Sequence, residues 1–245
     1  MQPPTAQEAD DRQLTALRAR LTKKRTAVLN GIHKILRKHN LEQECPTKVF
    51  QTKKVRRWLA EMDLPAMDRL ELNLLLPQWK LLDEHLEVVE AKIAERAEAD
   101  GRAKLLESMP GIGHYSEVAI ASRIGSIERF KRPDSLANYF GLTPGCRNSG
   151  EATQRLGSIT KPGSKIVRYL LGQAVVKVLR FDGVMRGWYK RIKKRRGSKI
   201  GRVAVMRRLA TIMWHMLKRK QAYRYELPIK KHREFEAFEG AAEPV

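Results

Sequence analysis

Apolar residues in the first part of the chain recur at three- and four-residue steps, at Leu14, Leu17, Leu21, Val28, Ile32 and Ile35. This is the helical period, and it predicts one amphipathic helix of about seven turns beginning near Asp10. Lys23, Lys24, Arg25, Lys34, Arg37 and Lys38 fall between the apolar positions and make the outer face basic. Asn40 suits the residue that ends a helix, and Cys45-Pro46 follows, so the helix should stop near His39. A short helix over 55–61 and a turn at Leu64-Pro65 come next. Leu75, Trp79, Leu82, Leu86, Val89 and Ile93 then step by four and three, which is a heptad seam. Asp83, Glu84, Glu87, Glu90, Glu95 and Glu98 surround that seam, so the second long helix is acidic where the first is basic. Opposite charge points to an antiparallel helical pair, formed within one chain or across a dimer. Pro77 should sit at a kink or at a helix start.

The pattern changes near Asp100-Gly101. Leu105-Leu106, then Met109-Pro110-Gly111-Ile112-Gly113, then Val118, Ile120 and Ile124 resemble a helix-hairpin-helix, an apolar helix end and a glycine turn opening a second apolar helix. The unpaired amides and positive dipole end of that second helix suit a backbone phosphate, which makes Gly111 and Gly113 candidate binding positions. A tight αα-turn that touches no ligand reads the same residues equally well. Pro133-Asp134-Ser135 predicts a cap and a short helix to Phe140, stopped by Gly141. Residues 143–160 are poor in large apolar side chains, and Asn148-Ser149-Gly150 signals a turn, so a hairpin or extended loop is expected there. Gly163-Ser164 opens a helix running through Arg168, Leu171, Val175 and Val178 to about Arg180. Val203, Met206, Leu209, Ile212, Met213 and Met216 form the buried stripe of a final helix.

The fold class expected is therefore mainly α. A long helical coiled-coil hairpin precedes a helix-hairpin-helix and a compact helical domain with a short hairpin or loop insertion. In sequence terms this is a disordered start over 1–8, a coiled-coil region over 9–102, the hairpin segment over 103–141, a basic helical domain over 142–222 and a tail over 223–245.

Charge adds what periodicity leaves out. The 245 residues carry 49 Lys and Arg against 27 Asp and Glu, a formal net charge of +22, which concerns partners more than fold. A polyanion is expected. No apolar run approaches the roughly 20 residues of a membrane span, and the first residues lack the apolar core of a signal peptide. Nucleic acid in the cytoplasm is favoured over a membrane surface. Cys45 and Cys146 stand far apart with no second Cys or His at ligand spacing, so a zinc site and a disulfide framework are both unsupported. The charge concentrates late: residues 177–220 hold sixteen Lys or Arg and one acid, Asp182. A solvated helix face would mix the signs. Arg191, Lys193, Lys194, Arg195, Arg196 and Lys199 are the densest part, with Trp188 and Tyr189 beside them, a composition that suits a nucleic-acid backbone.

Several motifs stand in a fixed order: Met109-Pro-Gly-Ile-Gly, Phe130, Leu136-Ala137, Tyr139-x-Gly141-Leu142-x-Pro144, Ser149-Gly150, Gly157-Ser-Ile159-x-Lys161-x-Gly163, then Arg168, Leu171 and Ala174. As a set they resemble the C-terminal domain of the Piv/MooV-type insertion-sequence transposases, the DEDD recombinases guided by a bridge RNA. The helical stretch 14–100 looks like that family's coiled-coil linker. The resemblance implies DNA transposition and recombination, with DNA and a guide RNA as partners and a homo-oligomer assembled through the coiled coil. It departs from the family in one respect: those enzymes begin with a RuvC-like domain whose acids hold Mg2+. No corresponding pattern occurs here, so no metal ligand and no cofactor is assigned to this chain. Asp10 and Asp11 sit at a helix start, where acids are ordinary dipole partners.

The serine that the family places in its Ser-Gly step is here Ser149. A serine hydroxyl can attack a phosphodiester to give a phosphoserine link that conserves bond energy for rejoining, provided a base or metal activates it. The same hydroxyl could simply bond its own turn backbone. Ser158 and Ser164 are the neighbouring alternatives, and His114 would have to reach Ser149 by folding. Arg147, Arg155, Lys161, Lys165 and Arg168 are candidate phosphate clamps around it. Two other functions fit the residues: a non-enzymatic helix-hairpin-helix protein gripping duplex backbone, and a structural RNA-binding protein.

Overall fold

The computed structural model describes residues 3–146 and 156–224. These residues are mostly helical, and the chain divides into two compact units, residues 6–96 and residues 97–245 with the first five.

The first unit holds α1 (Ala6–Lys38), α2 (Lys53–Glu61) and most of α3 (Ala66–Ala99). Ion pairs join α1 to α3 in reverse order along the two helices. Asp11 lies 3.7 Å from Arg96, Arg18 2.7 Å from Glu90, Arg25 3.0 Å from Asp83 and Lys38 2.8 Å from Asp68. The opposite charges of the two helices therefore meet within one chain, in antiparallel order. Gly31 marks a close approach, since a Cβ there would stand 3.1 Å from a Leu75 methyl. Trp79, Leu86, Val89 and Ile93 of the heptad seam are buried, and Leu75 and Leu82 pack partly buried against the same core. Arg56 of α2 lies over the Trp79 ring at 4.4 Å and also pairs with Asp83. The end of α1 falls where the sequence puts it. Asn40 takes φ +57, and the Leu41 amide donates back to the Leu36 carbonyl at 2.9 Å, closing the helix as a left-handed residue does. Pro77 starts nothing: α3 begins eleven residues earlier, at Ala66, and runs through it.

The second unit follows directly. Helices α4 (Gly101–Glu107) and α5 (His114–Ile124) pack on each other across residues 108–113. Then come α6 (Pro133–Tyr139), the antiparallel strands β1 (Pro144–Cys146) and β2 (Leu156–Ile159), α7 (Lys165–Phe181) and α8 (Gly183–Arg219). The core is one cluster in which α4, α6 and α7 pack against α8, and α5 packs against α4 and α7. Ile120, Ile124, Leu136, Phe140, Leu171, Val178, Leu209 and Met213 are fully or nearly fully buried in it. Met206, Met213 and Met216 are core residues, as expected. Asp182 fixes the α7–α8 junction, accepting a hydrogen bond from the Met185 amide at 2.8 Å and another from the Tyr223 hydroxyl at 2.6 Å. Tyr223 is itself buried, and its amide donates to the Ser108 hydroxyl at 2.8 Å. The chain thus remains part of the core to Tyr223, the residue at which the tail was expected to begin.

Candidate nucleic-acid interface

Helix α8 is not one rod. Gly197 takes φ +83 and ψ +166, a conformation that L side chains avoid, and there the chain folds back on itself. A Cβ built on Gly201 would lie 2.9 Å from the Tyr189 ring and 3.6 Å from the Lys193 amide nitrogen. Eight residues of straight helix would separate Lys193 and Gly201 by about 12 Å. Residues 183–196 and 198–219 are therefore two helical arms folded against each other at Gly197. Arg208 on the second arm lies over the Trp188 ring of the first at 4.8 Å, and burial pulls its pKa below the ordinary guanidinium value. Aromatic packing and the glycine at position 201 let the arms approach closely, while the turn projects the basic run outward.

All the side chains from Lys193 to Ile200 are exposed, as are Lys190 and Arg191. Seven cations, Lys190, Arg191, Lys193, Lys194, Arg195, Arg196 and Lys199, thus gather around one turn. Among the described residues none of them pairs with a carboxylate. The sequence identified six of these residues, Lys190 excepted, and its final helix through 203–216 is the second arm, but it did not show the fold-back. The Gly197 signal was there, a glycine flanked by Arg196 and Ser198 inside an otherwise helical run.

The β-hairpin carries the second group. The Thr160 amide donates to the Thr143 carbonyl at 2.9 Å and the Lys161 amide to Gly141 at 3.2 Å. Gly141 and Gly163, both with positive φ, bring the two ends together. A Cβ on Gly141 would lie 2.3 Å from the Pro162 carbonyl oxygen, and one on Gly163 2.1 Å from that of Tyr139. Lys161 is exposed with φ +57, and Lys165 is exposed at the start of α7. Arg168 is tied into the scaffold: its Nη1 donates to the carbonyls of Pro162, Phe140 and Gly163 at 2.7, 3.1 and 3.3 Å. Ser164 caps α7, accepting from the Val167 amide at 3.3 Å, and Ser158 is exposed on β2. Ser149, Arg147 and Arg155, together with the expected Asn148-Ser149-Gly150 turn, lie outside the described residues. They belong to the stretch 147–155 that joins the paired ends of β1 and β2.

The turn between α4 and α5 serves packing first. Gly111 has φ +87, and a Cβ there would lie 2.8 Å from the Lys177 Cβ and 3.1 Å from the Ala174 Cα, so it seats the turn on α7. Gly113 is extended and open, and precedes the first turn of α5. His114, the first residue of α5, bonds the Glu117 carboxylate at 3.0 Å. That bond raises the His114 pKa, while burial raises that of Glu117. Glu107, His114 and Glu117 bring three ligand-capable atoms within 4.8 Å of one another, a grouping the sequence reading did not find. The His-x-x-Glu spacing, which puts both side chains on one face of a helix, could have shown half of it.

These features define a mainly helical protein with a basic helical arm and a two-stranded hairpin. Among the described residues no helix is long and apolar enough to cross a membrane. Comparison with known proteins shows what the chain is similar to. Residues 103–190 match the family model described as the transposase IS116/IS110/IS902 family, a match that takes in the α4–α5 turn, the β-hairpin and the first part of the basic arm. The chain is 29% identical over 226 residues to a transposase for insertion sequence element IS1111A from Coxiella burnetii, covering 90% of this chain and 62% of that protein. It is 27% identical over 227 residues to a probable family 20 transposase from Pseudomonas aeruginosa, covering 90% of this chain and 67% of that protein. A pilin gene-inverting protein from Moraxella bovis is 29% identical over 128 residues, 51% of this chain and 40% of that protein. The chain therefore spans about two thirds or less of each of these relatives.

Proposed function

We propose that this chain acts in DNA transposition, as the helical and serine-bearing part of an insertion-sequence transposase. The observation that carries the reading is the basic arm. Seven exposed cations, unpaired among the described residues, crown a helical hairpin in a segment contiguous with the family match. Such a surface binds a phosphate backbone and positions it without reading bases. In this reading Lys161 and Lys165 hold the backbone at the base of the β-hairpin, and Arg168 keeps that base in shape. Arg147 and Arg155 flank the serine, and the open first turn of α5 offers a further phosphate contact. A guide RNA is the second polyanion that so much positive charge accommodates. The antiparallel helices of the first unit are the assembly surface for a homo-oligomer.

Ser149 is the nucleophile of this reading. Its Oγ attacks the phosphorus and gives up its proton to a base while the leaving strand oxygen takes up a proton; the partner strand's hydroxyl later attacks the phosphoserine diester and loses its proton, the Oγ–P bond breaks, and the serine oxygen is reprotonated. The resemblance also implies Mg2+ held by a set of acids. Among the described residues the one group of three or more ligand-capable side chains is Glu107, His114 and Glu117, which is not a four-acid set, and Asp11 faces Arg96. The residues present do not fit that centre, so no step of the reaction is derived through it.

The test is transposition of a marked element carrying this gene in its own context. Ser149→Ala should abolish strand exchange and the covalent protein–DNA adduct while leaving DNA affinity intact, because one hydroxyl is a small part of a backbone-dominated interface. Ser158→Ala and Ser164→Ala should keep the adduct. Adduct formation unchanged in Ser149→Ala would overturn the assignment of the nucleophile. Strand exchange absent from the unaltered element would overturn the enzymatic reading in favour of a binding protein.

A further inference from the structure

We infer that Glu107, His114 and Glu117 form a binding site for a divalent cation of the zinc type, which fastens the end of α4 to the first turn of α5. Glu107 is the last residue of α4, and His114 and Glu117 are on the first turn of α5, so the three come from both sides of the turn at 108–113. Their ligand atoms lie within 4.8 Å of one another, and tetrahedral coordination at about 2.0–2.2 Å asks only a small closing movement of them. Glu107 and His114 are exposed and free to make it.

The second observation is Glu117 itself. Its side chain is 1% exposed, and while Oε1 shares a hydrogen bond with His114 Nδ1, Oε2 has no hydrogen-bond partner. A buried carboxylate oxygen left unsatisfied is costly, and here it belongs to one of the three clustered side chains. A cation answers that: it takes the position between imidazole and carboxylate now held by a proton, releases that proton to solvent, and draws Glu107 in as the third ligand. One nitrogen and two carboxylate oxygens suit Zn2+ better than the all-oxygen shells of Mg2+ or Ca2+. The fourth position stays open to water.

The surroundings make a clamp useful there. Met109 and Ile112 are buried, and the Ser108 hydroxyl is bonded to Leu105 and Tyr223, so the turn is anchored beneath while its acidic rim faces outward. Neutralising Glu107 and Glu117 would also remove negative charge from the helix start that the proposed function offers to phosphate; the cation site itself does not depend on that function.

The experiment uses the full untagged chain stripped of metal with a chelator. Titration with ZnCl2 by calorimetry, and metal analysis after gel filtration, should give about one Zn2+ per chain. Glu107→Gln and His114→Ala, both at exposed positions, should each weaken binding by about ten-fold or more, whereas Cys45→Ala should leave it unchanged. Visible absorption of the Co2+-loaded protein should show the ligand-field bands of a tetrahedral site and lose them in His114→Ala. No uptake of Zn2+, or an affinity the same in Glu107→Gln as in the unaltered chain, would overturn the inference. Should His114→Ala lower the helical content, Glu107→Gln decides alone. All of these readings are taken without DNA, so failure here leaves the transposition test untouched.

Discussion

Removing charge from the tip of the α8 hairpin should change how binding to DNA responds to salt, and by an amount the structure sets. Seven cations surround the turn at Gly197, exposed and without carboxylate partners among the described residues. Each phosphate neutralised on duplex DNA steepens the slope of log affinity against log salt by about 0.9, so full engagement gives a slope near −6. Replacing Lys193, Lys194, Arg195 and Arg196 by Gln keeps length and helix propensity and leaves three cations, for a slope near −3. Between 50 and 200 mM salt the unaltered chain should lose affinity about four-thousand-fold and the variant about sixty-fold. Fluorescence anisotropy with a labelled duplex over that range reads both slopes. Circular dichroism should be unchanged, since none of the four side chains is buried. A slope that shifts by less than about 1 would show that the tip does not contact the backbone.

Two stability effects follow from the scaffold. Gly163→Ala places a Cβ 2.1 Å from the Tyr139 carbonyl oxygen at a φ of +74, so it should cost more than about 1 kcal/mol and lower the melting temperature of the second unit; an unchanged melting curve would refute the close approach. The hydrogen bonds of Asp68 to Lys38, at 2.8 and 2.9 Å, and to His39, at 2.8 Å, lower its pKa. Its stabilising share is therefore present above the unfolded carboxyl value of about 3.9 and is lost as pH falls through the lower folded value. The urea midpoints of the unaltered chain and Asp68→Asn should differ near neutrality and converge on acidification, and a gap that stays constant with pH would refute the pairing.

What the sequence made legible was whatever local periodicity controls. The helical class, the helix end at Asn40, the cap at Ser164 and the buried methionines of α8 all follow from spacing and propensity over a few residues, and the structure has them. Pro77 shows the limit of such rules. A proline inside a helix removes one hydrogen bond, but α3 is held over its length by a buried seam and by ion pairs to α1, and that packing outweighs a local breaker. Arg168 shows another. Its sequence position beside basic neighbours suggests a phosphate clamp, and the sequence gives no sign that its Nη1 also ties down three carbonyls at the foot of the β-hairpin, one of them that of Phe140, 28 positions away.

The fold-back at Gly197 matters most for function, and it explains why charge counting alone reads this chain incompletely. On a straight helix cations at consecutive positions point all round the axis, and only about half could face one duplex. Folding the helix at Gly197 puts Lys193, Lys194, Arg195, Arg196 and Lys199 on a projecting turn instead, with the arms behind it held by Trp188, Arg208 and the Tyr189–Gly201 contact. The end of a folded-back helix can lie against a backbone with cations of both arms near it, which the middle of a rod cannot do. Trp188 and Tyr189, which the sequence set beside the basic run, thus work between the arms. It is their packing, together with one glycine of positive φ, that converts a run of charge into a directed surface.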